Sequence, residues 1–143
     1  MDAHTFLKRI EHTLRCDAGR AEAVTFAVFQ ELRDRLTPSE AADVAAQLPT
    51  ALKTMWLEGE VAGRNVSRID AAEFIGRVRR RAVLVDDIEA ERAVLAVFAA
   101  LQGLLGSASG REGESWDVLS QLPKSLKELW VTAADRTAAT KSQ

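Results

Sequence analysis

The side chains best suited to bind a metal lie near the start of the chain. His12 and Cys16 are four residues apart, and His4 lies two helical turns before His12. An i, i+4 pair on the first helix can share a zinc ion, but a structural zinc site needs four ligands. Glu11 or Asp17 would have to supply the missing ligands. We therefore expect solvated helix residues at these positions and no metal site.

The sequence offers little for covalent catalysis or phosphate binding. Cys16 has His12 nearby as a base, but no third group that would orient the base can be identified. The string GSASGREGES at 106–115 lacks the GxxxxGK spacing of a phosphate-binding loop and does not follow a strand. Asp86 and Asp87 are explained as helix-capping residues. The sequence predicts no catalytic residue, no cofactor and no enzyme.

Arginine is concentrated between positions 64 and 81, where the chain has six arginines and no lysine. At about 100° per residue, Arg77, Arg80 and Arg81 share one flank of a helix. Such a flank can bind phosphate or carboxylate through paired hydrogen bonds. The alternative is neutralisation by the protein's own acids, since a basic run beside an acidic run is usually self-paired. The acids in question are Asp86, Asp87, Glu89 and Glu91.

Trp116 follows a loop that is longer in the second half of the chain than in the first. Such an aromatic either covers the core or anchors a partner. The candidate partner-binding residues are therefore Trp116, Arg64, Arg68, Arg77, Arg80 and Arg81.

The chain around these residues contains a helical unit that occurs twice. Residues 43–56 read DVAAQLPTALKTMW, and residues 117–130 read DVLSQLPKSLKELW. When 17–36 is aligned with 86–105 and 43–57 with 117–131, 16 of 35 positions are identical. A duplication of this kind predicts stacked structural units. It says more about folding than about function.

Apolar residues recur at helical spacing in both halves. The first stripe of each half contains Phe6, Leu7, Ile10 and Leu14 or Phe74, Ile75, Val78 and Ala82. The second predicted helix of each half is apolar on more than one side, because Phe26 and Leu95 lie off its stripe, so we expect it to be central. Capping residues predict helix starts at Thr37, Asp70 and Asp86.

The repeated phrase contains a proline inside a helical stripe. An interior proline removes one hydrogen bond and clashes with the preceding turn. Pro49 and Pro123 therefore predict a kink or a break, and Gln47 and Gln121 are expected to satisfy the backbone groups freed there. Trp56 and Trp130 end the two phrases, and we interpret both as core residues.

The ordered combination of these motifs resembles a known family. A QLP phrase in each half, FIGRV at Phe74 to Val78 and QLPKSLKELW at Gln121 to Trp130 are similar to the bacterial family called domain of unknown function 2267. The resemblance covers roughly Phe6 to Trp130. It implies an all-helical bundle, often accompanied by stress-related or regulatory modules. It supplies no catalytic residues to carry over.

Length and charge narrow the class of protein further. A chain of 143 residues can bury a sizeable core, and its net charge of −2 gives no global attraction to nucleic acid or anionic lipid. The longest apolar run, 93–105, is short of the roughly 20 residues that span a bilayer. With one cysteine and no visible signal peptide, we expect a cytoplasmic protein without a membrane partner.

The prediction is an all-α bundle of two tandem repeats sharing one core, each with three helices, or four if the prolines break them. One domain spans 1–135, with repeats at 1–58 and 70–135, a connector at 59–69 and a polar tail at 136–143. We expect a non-enzymatic interaction or assembly module that binds a protein partner or itself. Binding of nucleic acid or another anion by the arginine flank is the alternative.

Overall fold

The computed structural model describes residues 1–105 and 114–141, and all regular structure in these two ranges is α-helical. The helices are α1 (Ala3–Leu14), α2 (Ala18–Asp34), α3 (Pro38–Ala46), α4 (Thr50–Leu57), α5 (Ala71–Ala82), α6 (Asp87–Leu105), α7 (Glu114–Gln121) and α8 (Lys124–Lys141). They pack as one helical bundle, which confirms the predicted fold class.

Helix starts follow the capping residues that the sequence predicts. The Thr37 hydroxyl accepts a hydrogen bond from the Glu40 N–H at 3.1 Å. The Asp70 carboxylate accepts from the Glu73 N–H at 2.9 Å, and the Asp86 carboxylate from the Glu89 N–H at 2.8 Å. Each bond satisfies one of the backbone donors that a helix leaves free at its first turn.

Two central helices carry most of the core. Helix α2 contacts α1, α4, α5 and α6, while α6 contacts α1, α2, α5, α7 and α8. Both are buried on several sides, as their apolar patterns predict. Leu95 is buried and Phe26 is partly buried. The remaining helices surround this pair.

Aromatic rings link the helices of each half in the same order. The ring centroids of Phe6 and Phe29 are 5.8 Å apart, and Phe29 meets Trp56 edge-on at 5.4 Å. In the second half, Phe98 lies 5.8 Å from Phe74 and 5.0 Å from Trp130. These tilted and edge-on contacts add to the energy of apolar burial. Both tryptophans are core residues, as the sequence predicts.

Each proline of the repeated phrase, Pro49 and Pro123, separates two helices. Helix α3 ends at Ala46 and α4 begins at Thr50, with Pro49 as its N-cap. The carbonyl of Pro49 accepts from the Lys53 N–H at 2.9 Å, and that of Pro123 accepts from the Lys127 N–H at 2.9 Å. At the start of a helix the missing proline N–H removes no bond. The described part of each half therefore contains four helices.

The glutamines beside the prolines do not share one role. The Gln121 side-chain oxygen accepts from the backbone N–H of Thr37 at 3.1 Å, so it joins α7 to the start of α3 in the other half. Gln47 is exposed, and its side chain makes no hydrogen bond with the described residues. The prediction that both glutamines bond the backbone freed beside their own prolines is wrong.

The connector between the halves runs from the end of α4 to the start of α5. It contains Gly59 and Gly63, whose φ angles of 77° and 75° are favourable for glycine. At the other end of the chain, α8 continues to Lys141, beyond the tail boundary predicted at position 135. Alanine in this segment favours continuation of the helix. None of the described helices is long and apolar enough to cross a bilayer.

Candidate functional site

His12 and Cys16, which the sequence places four residues apart as possible ligands, do not lie on one helix. Helix α1 ends at Leu14, and Arg15 turns the chain with a left-handed φ of 54°, so Cys16 leaves the helical register of His12. Burial, followed by the nearby Asp17 carboxylate, raises the pKa of the Cys16 thiol. A thiol kept protonated is a poor nucleophile and metal ligand. The described residues contain no group of three or more His, Cys, Asp or Glu side chains placed to hold a metal.

Arg64 is part of the fold rather than of an open surface. Its guanidinium donates to the carbonyls of Leu36 and Arg33, both at 2.8 Å, and to Glu60 Oε1 at 2.6 Å. Only 13% of its side chain is exposed. Burial acts to raise the pKa of Glu60, but hydrogen bonds from Arg64 and the Val61 N–H outweigh it, so that pKa is lowered. Arg64 therefore fastens the connector to the end of α2.

Two arginines of the predicted flank are paired within the protein. Arg77 Nη2 lies 3.1 Å from Glu73 Oε1, one turn earlier on α5. Arg81 Nε donates to Oε2 of Glu31 on α2 at 2.5 Å. The acids that neutralise them are Glu73 and Glu31, not the acidic run that the sequence suggests. The long-range partner on α2 cannot be read from local spacing.

Glu31 belongs to a buried ionic cluster between α2 and α5. The Glu31 side chain is 2% exposed, and so is that of Arg35, whose Nη2 lies 3.8 Å from Glu31 Oε1. Nε and Nη1 of Arg35 are buried without a hydrogen-bond partner. Burial, partly offset by Glu31, lowers the pKa of Arg35. This cluster therefore joins the two halves, although some of its buried polar atoms have no hydrogen-bond partner.

Arg68 and Arg80 are exposed, as Arg81 also is, but they differ from the other predicted arginines in their contacts. Neither makes an ion pair or a side-chain hydrogen bond with the residues that the structure describes. Arg79, beside Arg80, is bonded to Asp87 at 2.9 Å. The five predicted arginines therefore do not form one unpaired cationic surface.

Trp116 lies in α7, which packs against α3, α6 and α8. Its side chain lies outside the described part of the structure. Its predicted role as a core cover or a partner anchor therefore stays a prediction.

An exposed apolar surface lies where α5 turns into α6. Val83, Val85 and Ile88 are 79%, 83% and 72% exposed, more than any other large hydrophobic residue described. Ile88 also lines a shallow recess of about 270 Å³ between α5 and α6. The other residues of that recess are Ala72, Ile75, Asp87 and Glu91. We call the surface formed by Ala72, Ile75, Val83, Val85 and Ile88 the α5–α6 edge.

The backbone at Val83 explains why these side chains face solvent. Val83 has a left-handed φ of 53°, and the Leu84 N–H donates to the Arg79 carbonyl at 2.9 Å. This turn ends α5 and buries Leu84 in the core. Glycine is the usual residue at such a position, and a β-branched residue there is an outlier. A solvent-exposed valine is therefore an unfavourable choice for the turn alone.

A comparison of the two halves of the sequence indicates this surface, although no motif does. The matching turn of the first half has Arg15 in place of Val83 and Gly19 in place of Ile88. Val85 is an extra residue without a counterpart. Both turns have the left-handed residue after the helix, but only the second is apolar on its outside. The difference between the copies marks the surface.

The described residues fold into an all-helical bundle. The family model described as "Uncharacterized conserved protein (DUF2267)" matches residues 3–129, and the chain belongs to this family. This confirms the resemblance drawn from the repeated phrase. No curated protein is significantly similar to the chain.

Proposed function

We propose that this protein is a non-enzymatic assembly module that binds a second copy of itself through the α5–α6 edge. The observation that carries the proposal is the exposure of Val83, Val85 and Ile88 within six residues. Scattered exposed hydrophobic residues are ordinary, whereas three strongly exposed ones this close together in the chain favour an interaction surface.

The backbone adds a second reason. A left-handed conformation costs an L-residue about 1–2 kcal/mol, and the valine side chain, unlike that of Asn or Asp, cannot offset the cost with a local hydrogen bond. Val83 also leaves 79% of its surface in water, so the isolated chain gains little from apolar burial at this position. Burial against another surface would offset this strain.

The charges around the edge favour a second copy as the occupant. Arg79 and Asp87 already pair with each other at 2.9 Å, which leaves Arg80 at the end of α5 and Asp86 and Glu91 at the start of α6 without an ion pair among the described residues. A two-fold interface places the same patch on both copies, so basic groups of one copy can face acidic groups of the other. An edge with both signs around an apolar centre is complementary to itself.

Sedimentation equilibrium over a concentration series tests the proposal. Wild type should show a reversible dimer. Val85→Glu should raise the dissociation constant of that dimer at least about tenfold, because a buried charge replaces an apolar contact. Val61→Glu is the matched control, since Val61 is 63% exposed in the connector, and it should leave association unchanged. A wild-type chain that stays monomeric into the millimolar range would contradict the proposal.

Anion or nucleic-acid binding stays the weaker alternative. Arg68 and Arg80 are the candidate arginines left to bind an anion. Arg64, Arg77 and Arg81 already have partners within the protein. Binding to a DNA oligonucleotide that falls steeply with salt and is lost in Arg68→Ala with Arg80→Ala would favour it over assembly. A cytoplasmic location and a stress-related or regulatory role also stay predictions.

A further inference from the structure

A second feature lies at the matching turn of the first half, where α1, α2 and α6 approach each other. A cavity of about 210 Å³ opens there between the two halves. Its apolar lining consists of Leu14, Val24, Leu84 and Ala93. Its polar lining consists of Arg15, Cys16, Arg20, Glu89 and Arg92. The cavity lining thus combines apolar side chains with three arginine residues.

One of the three arginines is fixed in place by the protein. Arg20 donates to the carbonyls of Ala82 and Val83 at 3.1 and 3.2 Å, and it lies 3.5 Å from Glu89. Glu89 also accepts from the Val85 N–H at 3.0 Å. Arg20 and Glu89 therefore neutralise each other and tie α2 to the α5–α6 turn.

The other two arginines are uncommitted. Arg15 and Arg92 are exposed, and neither makes an ion pair or a side-chain hydrogen bond with the described residues. Asp17, the acid nearest to Arg15 in sequence, lines an adjoining recess and accepts from the Arg20 N–H as the N-cap of α2. The cavity lining therefore carries an excess of positive charge at groups that are free to bind a ligand.

We infer that this cavity binds a small organic carboxylate. The carboxylate would pair with Arg15 and Arg92, since guanidinium groups bind carboxylates through paired, charge-assisted hydrogen bonds. An apolar tail would lie against the walls. Taking about 30 Å³ for each non-hydrogen atom, as for liquid water, the volume holds about seven such atoms. An unbranched acid of about five carbons has that size.

Valerate is the direct probe, and two-dimensional amide NMR reports both its affinity and its location. Addition of valerate should shift amides near Leu14, Leu84 and Ala93 in a saturable manner. Arg92→Gln and Arg15→Gln should each weaken binding by about tenfold, because each removes a charged hydrogen-bond donor. Arg68→Gln, at an exposed arginine of the connector, is the matched control and should leave valerate affinity unchanged.

Three comparison ligands distinguish binding in the cavity from nonspecific attraction to the charge of the arginines. Pentylamine, which has the tail but the opposite charge, should not bind, and inorganic phosphate should bind more weakly than valerate. Decanoate should bind no better than valerate, because its tail exceeds the cavity. The inference is overturned if valerate causes no saturable shifts at millimolar concentration, if phosphate binds equally well, or if the arginine variants retain wild-type affinity. Unchanged far-ultraviolet circular dichroism establishes that the variants are folded.

Discussion

Val83 combines the two properties on which the assembly proposal depends, left-handed backbone and high exposure. Val83→Gly should raise the stability of the dilute protein by about 0.5–1 kcal/mol, because relief of strain exceeds the entropy that glycine loses on folding. The same variant should weaken self-association. Urea denaturation and sedimentation measure the two effects separately.

Arg15→Gly is the matched control for this prediction. Arg15 has the same left-handed conformation at the equivalent turn, with a φ of 54°. It should stabilise the chain by a similar amount without changing association. A loss of stability in Val83→Gly would contradict the prediction, because it would mean that the valine side chain stabilises the monomer by more than the backbone strain costs.

The buried carboxylate of Glu31 makes a second prediction possible at the residue scale. Arg81→Met should destabilise the protein by about 1–3 kcal/mol, because it removes the closest partner of a buried charge. Arg35→Met should cost less than Arg81→Met or even stabilise, since it also removes an under-paired guanidinium from the interior. Urea unfolding of both variants gives the comparison. A larger loss in Arg35→Met would show that Arg35 is the main counter-ion of Glu31.

At the scale of elements, Arg64 and Glu60 hold the connector against the end of α2. Arg64→Lys should lower stability by about 1–3 kcal/mol, because lysine cannot reach two carbonyls and a carboxylate together. Equal stability combined with lost association would instead restore Arg64 to the partner-binding surface that the sequence predicts.

The same clamp has a pH dependence. The pKa of Glu60 is lowered in the folded protein, so the unfolded chain binds more protons in acid. Its contribution to stability is present above the ordinary value of 4.5 and is lost as pH falls through the folded pKa. Glu60→Gln should therefore flatten the fall in stability below about pH 4.5 in acid denaturation curves. An identical acid profile in the variant would contradict a role for Glu60.

Helices with strong local signals were predictable. The apolar stripes of Phe6 and Phe74 and the caps at Thr37 and Asp70 depend on residues within one or two turns, which the sequence states directly. The central position of α2 and α6 followed from apolar residues on more than one side. The sequence is compatible with either a kink or a break at Pro49, and the structure shows a break.

Contacts that cross between elements were not predictable. The Arg81–Glu31 and Gln121–Thr37 contacts join residues 50 and 84 positions apart, so no local pattern reports them. Arg15 ends α1 in a left-handed conformation that is usually taken by glycine. Because no glycine stands there, the sequence gives no sign of the helix end, and His12 and Cys16 have the spacing of two residues on one helix. The exposed edge was missed for the same reason, because Val83 also stands where glycine is expected.

At the scale of the whole molecule, the turn after α1 and the matching turn after α5 differ in their chemistry. The second copy is apolar on its outside and forms the α5–α6 edge. The first copy carries Arg15 and Cys16 and borders the cavity between the halves. Arg20 connects the two features, since it lines the cavity and bonds the carbonyl of Val83. The shared core sets the architecture, and the differing turns provide the proposed binding surfaces.

The central claim is that assembly uses the α5–α6 edge, and amide NMR across a dilution series tests its location most directly. The account predicts concentration-dependent shifts confined mainly to residues 72–91, with a return to the monomer spectrum in Val85→Glu. Shifts centred on another surface, such as α7 around Trp116, would contradict it. So would a spectrum that does not change with concentration.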